Sequence, residues 1–316
     1  MSEQVATFVA RARAELAKTI VGQEQALAQL LVVVLTGGHA LVEGFPGLAK
    51  TLAVKTLARI LDLGFQRVQC TADLMPTDII GANVFNVATS AFALHKGPVF
   101  TDLLLVDEVN RTPPRTQAAL LEAMEERQVT IDGVRHGLSS NFTVFATQNP
   151  VEFEGTYPLP EAQLDRFLMK IVVGYPSAEQ EQAILNNYQQ GFDPHDLDRM
   201  GLAAVENTLL QAARAEVAAV KVEPALFRYI AQIARRTRDW PSLSLGASPR
   251  ATVCLMQVAK ALAAMDGRDY LIPDDVKAAV PPVLRHRLLL KPEADLEGLT
   301  TDHVLTQVIA GVEVPK

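Results

Sequence analysis

Two segments carry residue types that act on phosphates. Gly44–Thr51 reads GFPGLAKT, and Leu103–Glu108 reads LLLVDE. The first lies between a short apolar run (Ala40, Leu41, Val42) and a helical pattern (Leu52, Val54, Leu57, Ile60). A Gly-rich loop in that strand–loop–helix setting turns backbone N–H groups onto phosphate oxygens at a helix N-terminus. Gly44, Phe45, Pro46, Gly47, Leu48 and Ala49 are therefore expected to wrap the phosphates of a nucleoside triphosphate, ATP, with Leu52 in the helical turn that follows. Lys50 would reach the β- and γ-phosphates, and the Thr51 hydroxyl would ligate Mg2+. The second segment reads as a buried strand that delivers Asp107 towards that metal and Glu108 towards the attacking water. Ala49 replaces the Gly that usually precedes the lysine, which is expected to be tolerated on helical dihedrals.

The elements that must position these groups are legible as a rhythm of short strands and longer crossovers. Strand candidates occur at Ala40–Val42, Arg67–Cys70, Leu103–Val106, Thr143–Ala146 and Phe167–Val173. The first four are far enough apart for the crossovers of a parallel sheet covered by helices. Asn149 follows the fourth strand and is expected to emerge beside Glu108, the alternative being a plain Asn149-Pro150 turn. Met1–Thr36 reads as helix interrupted at Ile20–Gln23. After Asp107-Glu108 a helix is expected with Thr112 as its cap and Pro113 at its first position.

Two excursions break the α/β rhythm. Asp132-Gly133 between Gln128–Ile131 and Val134–His136 predicts a hairpin on a two-residue turn. Val84, Phe85 and Val87 facing Phe92 and Leu94 across Ala88–Ala91 suggest a second. Phe85 and Phe92 could grip a substrate or simply pack, and His95 and His136 in these hairpins have no partner spacing for a metal. Beyond Tyr175-Pro176 the composition changes, with Ser177 and Gln180 forming a capping box and only helices expected. The boundary is placed there, giving an α/β unit over 1–175 and a smaller all-α unit over 176–316.

The chain has 316 residues, 49% of them hydrophobic and 21% charged, as in a globular protein with ample core. A net charge of -7 supplies no basic footprint, so a nucleic-acid partner is not expected. Cys70 and Cys254 have no ligand partners nearby and read as free thiols. The N-terminal segment is no signal peptide, and the longest apolar run, Leu30–Leu35, is too short for a bilayer, so no membrane insertion is expected. A cytoplasmic protein is expected.

Three stretches resemble one family closely. Asp107–Gln128 reads DEVNRTPPRTQAALLEAMEERQ, Ala146–Pro150 reads ATQNP, and Gly155–Phe167 reads GTYPLPEAQLDRF. With the phosphate loop they resemble the MoxR family of AAA+ ATPases, from Ile20 to about Arg250. The resemblance implies a P-loop AAA+ core, a parallel five-stranded sheet with helices on both faces. The hairpins become its helix-2 and pre-sensor-1 inserts, and the C-terminal helices a lid. It implies that Asn149 is the sensor-1 residue, that Arg166 is an arginine finger completing a neighbour's site, and that Arg250 sits at a sensor-2 position, in cis or in trans. Arg166 could instead pair with Asp165 or Glu161. Val21 and Gly22, with Gln23, match the segment at the adenine end, where a helix-breaking turn is the simpler reading. Arg111 and Arg115 fall near the implied subunit interface, and Trp240 with Arg235, Arg236 and Arg238 on a lid face.

By resemblance the molecule is a hexameric ring that couples Mg-ATP hydrolysis to chaperone-like remodelling or maturation of another protein, including metal-cofactor loading. A partner with a von Willebrand factor A domain is implied, while the client stays open. The competing readings are a nucleic-acid-associated motor and a nucleotide-gated scaffold. The acidic balance opposes the first, and the complete hydrolytic residue set opposes the second.

Overall fold

The computed structural model describes residues 2–149 and 155–315; Met1, Lys316 and Pro150, the second residue of the Asn-Pro pair, lie outside them. The strands are β1 (Ala40–Glu43), β2 (Phe65–Gln69), β3 (Gly81–Asn86), β4 (Ala91–Lys96), β5 (Leu103–Asp107), β6 (Gln128–Ile131), β7 (Val134–Gly137), β8 (Thr143–Gln148) and β9 (Met169–Val172). Helices α1 (Glu3–Leu16) and α2 (Glu24–Thr36) precede them, and α3 (Lys50–Ile60), α4 (Pro76–Ile80), α5 (Pro114–Glu126) and α6 (Glu161–Leu164) lie between them. The C-terminal part holds α7 (Ala178–Gln189), α8 (Asn207–Ala219), α9 (Pro224–Arg238), α10 (Pro249–Met265), α11 (Pro273–Leu284), α12 (Pro292–Leu296) and α13 (Thr301–Ala310).

Five strands form one parallel sheet in the order β2-β5-β8-β1-β9. Its three central strands, β5, β8 and β1, are buried on both sides, and the two-residue period divides their side chains between two cores. Leu103 and Leu105 enter the core shared with α1, α2, α3 and the C-terminal helices. Leu104 and Val106 enter the core under α5 and the β6–β7 hairpin. Both hairpins form as expected, β3 with β4 and β6 with β7, and Asn83 donates to Asp132 at 2.8 Å to link them. Val84, Phe85, Val87 and Phe92 are exposed, and the rings of Phe85 and Phe92 meet edge-on at 5.3 Å.

Three expectations need correction. The C-terminal part is not all helix: β10 (Leu243–Leu245) and β11 (Leu289–Leu290) pair antiparallel. Segments of three and two residues are too short for any periodicity to announce them. Thr112 does not cap α5. It closes a 3-10 turn over Val109–Arg111, and Pro113 takes the cap position because a residue before proline is pushed out of the helical region. Ala49, expected in helical dihedrals, has φ 56° and ψ 19°, the left-handed region.

α1 packs against α8, whose Glu216 accepts from the N–H groups of Gln4 and Val5 at 3.2 and 2.9 Å. A distant side chain thus caps a helix that has no side-chain cap of its own. On the opposite core, His39 precedes β1 with both ring nitrogens engaged, Nε2 with the Met124 carbonyl at 3.1 Å and Nδ1 with the Val144 N–H at 2.9 Å.

Burial pushes the His39 imidazole down to about 4, outweighing its bond to Met124, and the charges of Arg127 and Arg250 act in the same direction as burial. A histidine held neutral in the fold contributes its full stability above about pH 6.5 and loses it as pH falls towards 4. From pH 7.5 to pH 5 that loss is about 2 kcal/mol by linkage. Urea unfolding at the two pH values should show it, and His39→Gln should reduce the dependence, leaving the share of His286, which burial likewise holds neutral; an unchanged dependence in the variant would assign it elsewhere.

Candidate functional site

β1 ends at Glu43, and the loop from Gly44 to Ala49 turns directly into α3. Two glycines in this loop have a steric reason. A Cβ at Gly44 would lie 2.7 Å from the Val173 carbonyl oxygen. Gly47 has φ +81° and nothing within 4 Å of its Cβ position, so it faces open space. No side chain caps α3, which leaves its first N–H groups directed at an incoming anion.

A cleft of about 400 Å3 opens over this loop, lined by Pro46 to Leu52 together with Asp107, Glu108 and Asn149. The phosphate-loop residues, the strand-end carboxylates and Asn149, far apart in sequence, are brought together as expected. Lys50 donates its ammonium to the Gly44 carbonyl across the loop. The Thr51 hydroxyl lies 3.3 Å from Asp107 Oδ2. Phe45 turns out of the cleft and stacks on Tyr175 with ring centroids 5.0 Å apart. Val21 and Gly22 are also outside it; the Gln180 side chain of α7 packs on Gly22 so closely that a Cβ there would sit 2.5 Å from it.

Other residues of the cleft escaped the sequence reading. Thr147 on β8 accepts from the Glu108 N–H at 2.9 Å and donates to Asp107 Oδ1 at 2.7 Å, fixing both acids relative to each other. Arg67 on β2 grips Asp107 Oδ2 through Nε at 3.0 Å and Nη2 at 2.7 Å. Gln69, two residues on, donates to Glu108 Oε2 at 3.1 Å, and Arg111, which the sequence set near an implied subunit interface, pairs with the same oxygen at 3.0 Å. Tyr188 from α7 and Pro194 close the C-terminal side. Alternation along β2 could have announced Arg67 and Gln69, since residues two apart share a face. Nothing local announces Tyr188.

Asp107 and Thr51 offer converging hard oxygens, and Arg67 shows that the position holds positive charge. That donor set fits Mg2+, which takes few protein ligands and completes its shell with phosphate and water. Among the described residues no cluster of three or more His, Cys, Asp or Glu side chains suits a softer metal. Glu108, at φ 60°, is held in a sparsely populated conformation just beyond β5. Cys70 is buried beside these acids, and burial raises its thiol to about 11, so it stays protonated.

Arg166 and Arg250 are not in this cleft. Both pair with one carboxylate on α5, Arg166 Nε with Glu125 Oε2 at 2.7 Å and Arg250 Nη1 with Glu125 Oε1 at 2.9 Å. Arg166 therefore does not take Asp165 or Glu161 as its partner. Asp165 is held by the Ser248 hydroxyl at 2.9 Å and by Arg287 Nε at 2.7 Å. Ser248 also caps α10, the helix that carries Arg250.

Comparison with known proteins agrees with this architecture. Residues 39–169 match the model of the ATPase family associated with various cellular activities (AAA), and residues 235–308 match an AAA lid domain. The chain is 44% identical to the chaperone MoxR1 of Mycobacterium tuberculosis, covering 97% of this chain and 82% of that one. It is 40% identical to the uncharacterised protein YeaC of Bacillus subtilis, over 99% of this chain and 97% of that one. The crystal structure of a candidate ATPase from Cytophaga hutchinsonii superposes with a TM-score of 0.91 at 40% identity, covering 100% of this chain and 97% of that one.

The left-handed Ala49 yields a direct test. Relieving a left-handed alanine gains about 1–2 kcal/mol, while glycine's added freedom in the unfolded chain returns roughly 0.5–1 kcal/mol. Ala49→Gly should keep or slightly raise the thermal midpoint and leave nucleotide affinity unchanged. A marked fall in either would mean that the methyl group packs in the loop.

Proposed function

The chain belongs to the MoxR family of AAA+ ATPases, and from that premise we propose that it hydrolyses Mg-ATP at sites shared between subunits of a ring. The observation that carries this reading is the division of the hydrolytic set within one chain. Lys50, Thr51, Asp107, Glu108 and Asn149 meet in one cleft, while Arg166 and Arg250 meet on Glu125 outside it.

The cleft lies at the carboxyl edge of the parallel sheet, where β1 and β5 end. Arg166 precedes β9, and the Met124 carbonyl beside Glu125 meets His39, which precedes β1. Both arginines therefore stand at the amino edge, a strand length of about 13 Å or more from the phosphates. A second subunit that brings its amino edge to this cleft completes it.

In the assembled site, loop N–H groups and Lys50 bind and orient the β- and γ-phosphates. Thr51 and Asp107 hold Mg2+, which supplies neutralisation of the charge that develops across those phosphates. Glu108, its backbone anchored by Thr147, accepts a hydrogen bond from the attacking water and polarises it. Asn149 orients that water or contacts the γ-phosphate. Arg166 from the neighbour stabilises the equatorial oxygens, and Arg250 of the same neighbour acts with it, in trans. Little covalent chemistry is asked of the protein; positioning and charge carry the step. Val21 and Gly22 serve the adenine end.

Residues 1–175 act as the nucleotide-binding unit and 176–316 as the lid. The ring, hexameric by resemblance, remodels or matures a client protein in the cytoplasm, with a von Willebrand factor A domain protein as its partner. Among the described residues no helix is long and apolar enough to cross a membrane. The name chaperone borne by the M. tuberculosis relative supports the remodelling role. So does the exposed apolar tip of the β3–β4 hairpin.

Lys50→Ala should abolish nucleotide binding, read with a fluorescent ATP analogue, whereas Glu108→Gln should bind and not turn over. Arg166→Ala and Glu108→Gln, each nearly inactive, should regain ATPase activity when their subunits are mixed. No recovery despite demonstrated mixed assembly would refute the shared site.

A further inference from the structure

Glu125 receives two arginines on one side chain, and nothing in the hydrolytic chemistry explains it. Its two carboxylate oxygens are divided, Oε2 to Arg166 and Oε1 to Arg250, at 2.7 and 2.9 Å. The three side chains are partly exposed, at 36% for Glu125, 31% for Arg166 and 42% for Arg250, so the group faces solvent at the amino edge of the sheet. We propose that Glu125 is a positioning residue that holds Arg166 and Arg250 together as one cationic pair for the phosphates of a nucleotide bound on a second copy of this chain. This rests on the reading of a shared site given above.

Two guanidiniums that must converge on one phosphate repel each other at close range, and in isolation they would splay into solvent. A carboxylate between them removes that repulsion and fixes their spacing. Two positive charges and one negative leave a net charge of one positive, so the pair still attracts a phosphate. Asp165, the other acid at hand, does not compete for the arginines, because Ser248 and Arg287 already hold it.

The backbones that carry the arginines are tied together as well. Ser248 joins Asp165, next to Arg166, to the start of α10, which presents Arg250 two residues later. The buried Arg287 guanidinium donates to the Asp165 and Leu168 carbonyls at 3.1 and 3.2 Å, and also to the Phe167 carbonyl. The spacing of the pair is thus set from below by Asp165 and from above by Glu125. A displacement of the order of 1 Å at such a position costs about a hundredfold in rate.

The test uses Glu125→Gln and Glu125→Ala in the full chain, with thermal midpoints measured alongside. We expect kcat for ATP to fall about tenfold or more, with each variant's own affinity for the fluorescent nucleotide unchanged. A folding defect could imitate the loss, so each variant is also mixed with Lys50→Ala, which has a dead cleft and intact arginines. The mixture should exceed the sum of the separate rates, because Glu125-variant clefts are then completed by Lys50→Ala neighbours. Arg166→Ala mixed with Lys50→Ala is the control for the shared site. Native turnover in both Glu125 variants while Arg166→Ala is dead would overturn the proposal. So would a loss that Lys50→Ala subunits do not restore although they restore Arg166→Ala. If that control itself shows no recovery, the shared site fails and takes the pair's role with it.

Discussion

Everything in this molecule depends on the strands of its sheet running in one direction. Each parallel strand delivers its last residues to the same edge, so Gly44 after β1, Asp107 and Glu108 at β5, and Thr147 and Asn149 at β8 converge without any contact between them in sequence. The same polarity returns every crossover to the opposite edge, where His39, Glu125 and Arg166 gather. The cleft residues and the Arg166–Arg250 pair are therefore separated within one chain by about the length of a strand. In the proposed ring, association of copies unites them.

The cleft is built from charges that restrain one another. Asp107 is balanced by Arg67, and Glu108 by Arg111 and Gln69, while the Thr147 hydroxyl joins the two acids. Charge-assisted hydrogen bonds of this kind fix the acids more firmly than neutral ones would. Two non-glycine residues with positive φ, Ala49 and Glu108, line the cleft. Conformations of that sort persist where surrounding structure over-determines them, which is the condition of a preorganised site.

The C-terminal part does more than add Tyr188 and Pro194 to the cleft. Arg287, almost wholly buried, binds the loop that carries Arg166, and Ser248 ties that loop to the helix that carries Arg250. Removing Asp165 would leave the buried Arg287 guanidinium without its carboxylate. A single contiguous core running from the sheet through α1 and α2 into α8–α11 reinforces this connection. The loop that carries Arg166 and the helix that carries Arg250 are consequently tied into one packed body.

Much of this was present in the order of residues. The phosphate loop, the Asp107-Glu108 strand end, five short strands, both hairpins and the break at Gly22 follow from local patterns of apolar period, glycine and turn chemistry, each acting over a few residues. Local pattern did not reach β10 and β11, whose pairing exists only because α9 and α11 bring two very short segments together. Nor did it reach the left-handed Ala49, the start of α5 after Thr112, or the roles of Arg67, Thr147 and Tyr188. That Arg166 and Arg250 share Glu125 was likewise decided only by the tertiary structure. Apart from the start of α5, which the adjacent Pro113 and Pro114 set locally, those features depend on distances between segments tens to hundreds of residues apart. Such distances are set by how the sheet and helices pack, and no short-range preference encodes them.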